Sequence, residues 1–235
     1  MKKLWSASKS EIKNSNLANY ENYINLKYNQ KFNRKYKDIL SWSVKNSAKF
    51  WESVWDYCNV KGNKGKVNLT KSKTFYKNHF LSDYKLNFAE NLLSKSDNSK
   101  AITFVSENGY KEKRSWKELN INSNKIISFL KSNKIKSGDR VAAYLPNIIE
   151  TVEYFIGTSA IGAIWSSCSP DFGVKGVIER FAQIKPKILV ITDRYYYNGK
   201  EINVIERLPE IVKKIKSIKK VVVLSYPGKK LTKFK

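Results

Sequence analysis

The sequence predicts an α/β fold: a parallel sheet with helices on both faces, preceded by a helical N-terminal region. Three observations carry this. From about residue 100, short apolar runs alternate with stretches of helical apolar spacing, the pattern of a parallel sheet covered on both sides. Over residues 1 to about 60, aromatic residues recur at helical spacing. The 235 residues are 41% hydrophobic and 13% aromatic, enough to bury a core despite a mean hydropathy of −0.52.

In chain order, Leu17, Tyr20, Tyr23 and Ile24, then Phe50, Trp51, Val54 and Trp55, mark the apolar faces of the N-terminal helices. "KGNKGKVNLTKSK" (61–73) has no periodicity and reads as a loop, and "YKLNFAENLL" (84–93) as a short helix. "KAITFVS" and "YKEKRS" flank Asn108-Gly109, a dipeptide that closes tight hairpins. Ser115 and Glu118 have capping-box spacing, and Leu119, Ile126, Ile127 and Leu130 form the stripe of the helix that follows. "KSGD" (136–139) is a turn.

Then the alternation becomes regular. "RVAAYL" (140–145) is a strand, and Pro146 stands where a helix can begin. Ile148, Ile149, Val152, Phe155 and Ile156 make the stripe of that helix. "GAIWSS" (162–167) is the second strand, and Val174, Val177, Ile178, Phe181 and Ile184 mark the second helix. "KILVIT" (187–192) is the third strand, Ile205, Leu208, Ile211, Val212 and Ile215 mark a third helix, and "KVVVLS" (220–225) is the fourth strand.

Composition narrows the function. The formal charge of +25 invites a nucleic-acid reading, but only six of the 45 basic residues are Arg, and the lysines are spread along the whole chain. A solvated basic surface accounts for this, so no specific nucleic acid is expected as partner. No run approaches the ~18 apolar residues of a membrane span. The basic start "MKKLWSASKSEIKNSN" lacks the apolar segment of a signal peptide, so a cytoplasmic location is expected and no membrane partner. Cys58 and Cys168 have no metal or CxxC spacing, and no metal site is expected.

Ligands of open parallel sheets bind beyond the carboxyl ends of the strands. There lie "SCSPDFG" after the second strand and "DRYYYNGK" after the third. Cys168 as a nucleophile would need a base, and His79, the single histidine, is remote in sequence; a small buried thiol at a strand end is the simpler reading. In "YYYNGK" (195–200) a tyrosine face can stack on a base, Gly199 permits close backbone approach and Lys200 is a point charge for phosphate. An exposed turn before a helix is the competing reading. Neither GxGxxG nor GxxxxGK[ST] occurs, which gives no support to a dinucleotide oxidoreductase or a P-loop enzyme.

Together "LNFAENLL" (86–93), "SWKEL" (115–119), "GDRVAAYLPN" (138–147), "AIGAIWSSCSPDFG" (160–173), "VIERFAQIKPKILVITD" (177–193) and "YNGK" (197–200) resemble the N-terminal part of the acyl-CoA synthetases that work through an acyl-adenylate. "GAIWSSCSPDFG", with "FWESVWDYCNV" (50–60) ahead of it, is similar to the acetoacetate-activating branch of that family rather than the acetate-activating one. The resemblance implies a synthetase-like N-terminal region over 1–98 and the first part of an AMP-binding synthetase domain over 99–235. It implies acetoacetate, ATP and CoA as small-molecule substrates, with Mg²⁺. It also places 161–173 near the CoA nucleotide, so that Cys168 is no nucleophile, and implies Lys200, Gly199, Tyr197 and Asp171 as CoA-binding residues. Lys200 stands where the acetate-activating relatives carry Arg, keeping the charge but losing the fork. The chain departs from the family at 79–84, where "HFLSDY" replaces an aromatic-Pro-Gly turn.

The resemblance assigns no catalytic residue to these 235 positions, since the phosphate loop, acyl pocket and catalytic Lys of the family would follow Lys235. The chain alone is therefore expected not to adenylate a carboxylate. A sheet ending after its fourth strand is expected to leave an apolar edge and to make the isolated chain poorly soluble. Two alternatives are another short-chain acid such as acetate or propionate as substrate, and a stand-alone CoA- or nucleotide-binding module. The oligomeric state is not legible.

Overall fold

The computed structural model describes residues 4–231. It divides into two compact units, Met1–Leu86 and Asn87–Lys235.

The first unit is built on four helices, α1 (Lys9–Lys13), α2 (Asn16–Tyr28), α3 (Tyr36–Lys45) and α4 (Ser47–Tyr57). Tyr20, Ile24 and Trp42 form its buried centre, with Tyr23, Tyr28, Phe32, Phe50, Val54 and Tyr57 packed around them. The Tyr20 hydroxyl meets Ser53 Oγ at 2.6 Å, which satisfies two buried polar groups at once. Of the expected stripe, Leu17 is 46% exposed and Trp51 42% exposed, so the buried face is narrower than the spacing suggests.

Two small antiparallel pairs follow: β1 (Gly62–Asn63) with β4 (Lys85–Leu86), and β2 (Leu69–Thr70) with β3 (His79–Phe80). The expected loop at 61–73 thus holds two strands of two residues each. At the sequence departure, Leu81 takes φ +50°. Asp83 accepts from the backbone N–H of Lys66 (2.7 Å) and Val67 (3.0 Å), which holds its carboxyl below the usual range. A Cβ on Gly65 would lie 2.3 Å from Asp83 Oδ1, so glycine is what lets this carboxylate in.

The second unit opens at Asn87, whose Oδ1 caps α5 (Phe88–Leu92) while its Nδ2 donates to Ala160 O at 3.0 Å. The short helix expected over 84–93 is confined to α5. The hairpin β5 (Lys100–Val105)/β6 (Lys111–Ser115) is present, and the Ser115–Glu118 capping box starts α6 (Trp116–Ser132). Asn108 keeps a negative φ and Gly109 takes +81°, with Gly109 N–H donating to Ser106 O (3.0 Å). That is a type I turn closed by a left-handed glycine, not the two-residue mirror-image turn.

β7 (Arg140–Tyr144), α7 (Ile149–Ala160), β8 (Ile164–Cys168), α8 (Val174–Ile184), β9 (Ile188–Thr192), α9 (Leu208–Lys214) and β12 (Lys220–Leu224) realise the alternation. The sheet is parallel in the order β12-β9-β7-β8. Ala142, Tyr144, Leu189 and Ile191 pack on one face against Val177 and Phe181 of α8 and Leu208 and Ile211 of α9. Val141, Ala143 and Val190 pack on the other against Ile126 and Leu130 of α6 and Tyr154 of α7. A Cβ on Gly157 would lie 2.7 Å from Ile126 Cγ2, so glycine sets the close approach of α7 to α6.

Three expectations shift. Pro146 precedes α7 rather than entering it: Ile148 is the N-cap, and the Pro146 carbonyl accepts from Thr151 Oγ1 at 2.7 Å. The second strand runs 164–168 rather than 162–167, because Gly162 takes φ +71° in the preceding turn. The third helical stripe is divided into a 3-10 turn, Ile205–Arg207, and α9.

Candidate functional site

The sheet order creates a switch point. β7 connects onward to β8 on one side, β9 connects onward to β12 on the other, and β7 and β9 are neighbours. At their carboxyl ends the two connections diverge, and this is the edge at which doubly wound sheets take ligands, in a crevice between the connections.

One wall is the loop after β8. Ser169 Oγ donates to Asp171 Oδ2 (2.7 Å), and Phe172 N–H donates to Ser169 O (3.1 Å). Tyr144, the last residue of β7 and fully buried, points its hydroxyl at the carbonyls of Pro170 (3.1 Å) and Phe172. Burial pushes this phenol up, and the Arg207 guanidinium opposes that rise. Arg207 Nη1 donates to the Tyr144 hydroxyl and to Pro170 O (2.7 Å). Arg180 lies over the Phe172 ring at 4.1 Å.

The other wall is a hairpin, β10 (Arg194–Tyr197) with β11 (Lys200–Asn203), where the sequence reading placed a loop. Asn198 and Gly199 take φ +50° and +73°, the type I′ geometry that continues the twist of the flanking strands. The hairpin is rooted at buried Asp193, whose Oδ1 accepts from Tyr226 N–H (3.0 Å) and whose Oδ2 pairs with Arg194 (3.2 Å).

Each residue expected to bind CoA lies on one of these two walls. Tyr197 (58% exposed) and Lys200 face each other across the last pair of the hairpin register, and Lys200 makes no ion pair among the described residues. Gly199 sits in the turn; a Cβ there would meet nothing within 4 Å, so its φ is what calls for glycine. Its N–H donates to Glu107 Oε2 at 3.2 Å. Asp171 is exposed and lies near Tyr195 of the opposite wall; burial, then this neighbouring carboxylate, pushes the Tyr195 phenol up to about 12. Asp171 accepts from Ser169 Oγ within its own loop.

Cys168 is 5% exposed, and burial pushes its thiol up, the opposite of an activated nucleophile. His79 is exposed on β3. A cavity of about 280 Å³ between Lys134, Ile135, Lys187, Ile188, Lys219 and Lys220 opens at the amino ends of β9 and β12, the end of the sheet away from the crevice. Among the described residues no group of three or more His, Cys, Asp or Glu could hold a metal ion, and no helix is long and apolar enough to cross a membrane.

Sequence reasoning missed Arg207 and Arg180. A signal existed: Val-Ile-Glu-Arg occurs twice, at 177–180 and 204–207, and both arginines end on the 169–173 loop. The apolar residues of each repeat were read for the core, and the charged ones were passed over.

The fold and the crevice define a class: residues 90–234 match the model of the AMP-binding enzyme family, and the chain belongs to that family. Among curated relatives it is 35% identical over 225 residues to acetoacetyl-coenzyme A synthetase of Rhizobium meliloti strain 1021, covering 96% of this chain and 34% of that protein. It is 39% identical over 202 residues to acetoacetyl-CoA synthetase of Gallus gallus, covering 84% and 30%. The solved acetoacetyl-CoA synthetase from Streptomyces lividans superposes with a TM-score of 0.90 at 26% identity, covering 99% of this chain and 36% of that one. The chain therefore spans about a third of the length of the relatives it matches.

Proposed function

We propose that the chain serves an ATP-dependent acid–thiol ligase that joins acetoacetate to CoA, and that the crevice at the β7/β9 carboxyl ends receives the nucleotide end of CoA. In this reaction the acetoacetate carboxylate attacks the α-phosphorus of ATP, expelling pyrophosphate and leaving acetoacetyl-AMP. The CoA thiolate then attacks the acyl carbon and AMP departs. The observation that carries the reading is the pair of walls at the carboxyl edge of the sheet, 169–173 and 194–203, with Lys200 at the rim making no ion pair among the described residues.

The chain's own residues bind and orient. Tyr197 offers a ring face to the adenine, Lys200 a cation to a phosphate, and Asp171, held by Ser169 Oγ, shapes the 169–173 loop. Mg²⁺, which would neutralise the phosphates in such a reaction, is assigned no ligand set among the described residues. The residues that would activate the α-phosphate are not assigned to this chain, and the chain alone is proposed to carry out no adenylation.

The test is calorimetric titration of the chain with CoA. Lys200→Ala is expected to weaken binding about fivefold to tenfold, the size of one charge-assisted contact at an exposed site. No detectable CoA binding, or binding indifferent to Lys200, refutes the reading. ATP–pyrophosphate exchange by the chain with acetoacetate present is expected to stay at background.

A further inference from the structure

Arg207 is a half-buried guanidinium held entirely by neutral groups. Nη1 donates to the Tyr144 hydroxyl, to Pro170 O at 2.7 Å and to Phe172 O at 3.4 Å. No carboxylate oxygen of the described residues lies within 4.0 Å of it. Nη2 and Nε have no partner among those residues, and neither is closed off from solvent. Of the four arginines in the second unit that are half-buried, Arg114 and Arg194 are neutralised by carboxylates, and Arg140 spends both Nε and Nη2 on the carbonyls of Ile184 and Lys185. Arg207 alone among them keeps a positive charge and an unused edge, and it does so at the switch point, against the end of β7.

We propose that Arg207 is a ligand-binding residue of this crevice, gripping a phosphate of CoA with Nη2 and Nε while Nη1 stays fixed to Tyr144 and Pro170. This rests on the CoA reading given above and adds to it a residue outside the two expected segments. The chemistry suits the fork. Anchoring one edge removes the side-chain entropy that a free arginine would lose on binding, and the other edge presents parallel donors matched to two phosphate oxygens. Lys200 at the rim supplies charge without that geometry. The division of labour is a rigid fork inside the crevice and a mobile point charge at its edge.

The experiment is calorimetric binding of CoA and of dephospho-CoA to the 235-residue chain, in wild type and in Arg207→Gln, Arg207→Lys, Tyr144→Phe and Lys200→Ala. Arg207→Gln is expected to weaken CoA about tenfold to a hundredfold, the loss of a paired charge-assisted contact. Tyr144→Phe, which loosens the anchor but leaves the guanidinium, is expected to cost several-fold less. A loss confined to CoA assigns the fork to the 3′-phosphate; an equal loss for dephospho-CoA assigns it to the pyrophosphate. Arg207→Gln within twofold of wild type, while Lys200→Ala weakens binding, overturns the role of Arg207 and leaves the CoA reading standing. Equal losses in Tyr144→Phe and Arg207→Gln also overturn it, since Arg207 would then act only by holding the loop. Absence of CoA binding by the wild type removes the CoA reading and the role together. Where Arg207→Gln lowers the melting temperature by more than about 5 °C, Arg207→Lys decides. A lysine that restores the melt but not the affinity supports the fork, and one that restores both overturns it.

Discussion

The two units bury their apolar residues by different means. In the second, the central strand β9 is buried at every position, and Phe181 of α8 is fully enclosed against it. In the first, large aromatics lean on one another in a half-wet cluster: Trp51 packs on Phe50 and Phe80 yet stays 42% exposed. Polar tethers such as Tyr20–Ser53 and Asp83 with the 66–67 backbone carry more of the local geometry there. Periodicity in sequence therefore means more in the second unit, where a side chain is either on a sheet face or off it.

The sharpest test of this contrast is truncation of one large side chain in each unit. Phe181→Ala is expected to cost about 3–5 kcal/mol as a core cavity, and Trp51→Ala, although it deletes more atoms, about 1 kcal/mol or less because half its surface is already wet. Urea unfolding of each variant measures both, and equal costs would break the comparison.

Glycine substitutions sharpen it further. Gly157→Ala pushes a methyl into Ile126 between two packed helices and is expected to cost about 1–3 kcal/mol by overpacking. Gly65→Ala instead displaces the Asp83 carboxylate and is expected to cost about 1 kcal/mol in lost backbone hydrogen bonds. Reverting the charge partner separates the two: Gly65→Ala should add little in an Asp83→Ala background, whereas Gly157→Ala should cost the same in it.

A smaller effect is alkaline. Tyr195 in the folded chain titrates at about 12 against an ordinary value of 10.0. Because the folded value is raised, its contribution to stability is complete below pH 10 and is lost as the pH climbs toward about 12. Phenolate absorbance of wild type minus Tyr195→Phe should show this late titration, and Asp171→Asn should draw it back toward 10. A Tyr195 that titrates normally would mean that its phenol is neither buried nor close to the Asp171 carboxylate.

The mildest comparison leaves stability untouched. Cys58 is exposed in the first unit and Cys168 buried in the second. A thiol reagent should modify one cysteine in the native chain and both in denaturant; two fast native thiols would mean that the end of β8 is open.

How legible the molecule was in its sequence follows the same division. The four parallel strands and their helices were readable because each apolar run is short, uninterrupted and bounded by turn residues. That β8 lies at the sheet edge, with Ile164 51% exposed, was not, since strand order is set by non-local packing that a run of apolar residues does not record. The Asn198-Gly199 hairpin carried the same dipeptide as Asn108-Gly109 but was read as a loop, because three adjoining tyrosines drew attention to ligand chemistry over pairing. Lys200 and Tyr197 stand out in the sequence because their segment lacks an apolar period, although the structure pairs them in a regular hairpin; Arg207 is hidden inside a helical stripe whose apolar members explain the pattern without it.

The two Asn-Gly pairs also bear on how the protein ages. Asparagine before glycine is the sequence most prone to spontaneous deamidation, which begins when the glycine amide nitrogen closes a ring onto the asparagine side chain. At Gly109 that N–H is held by Ser106 O, and at Gly199 by Glu107. Both nitrogens are thus engaged in the fold, and the carboxylate of Glu107 acts as a preservative for the hairpin beside Lys200. Its removal would let a new negative charge accumulate with storage beside Lys200.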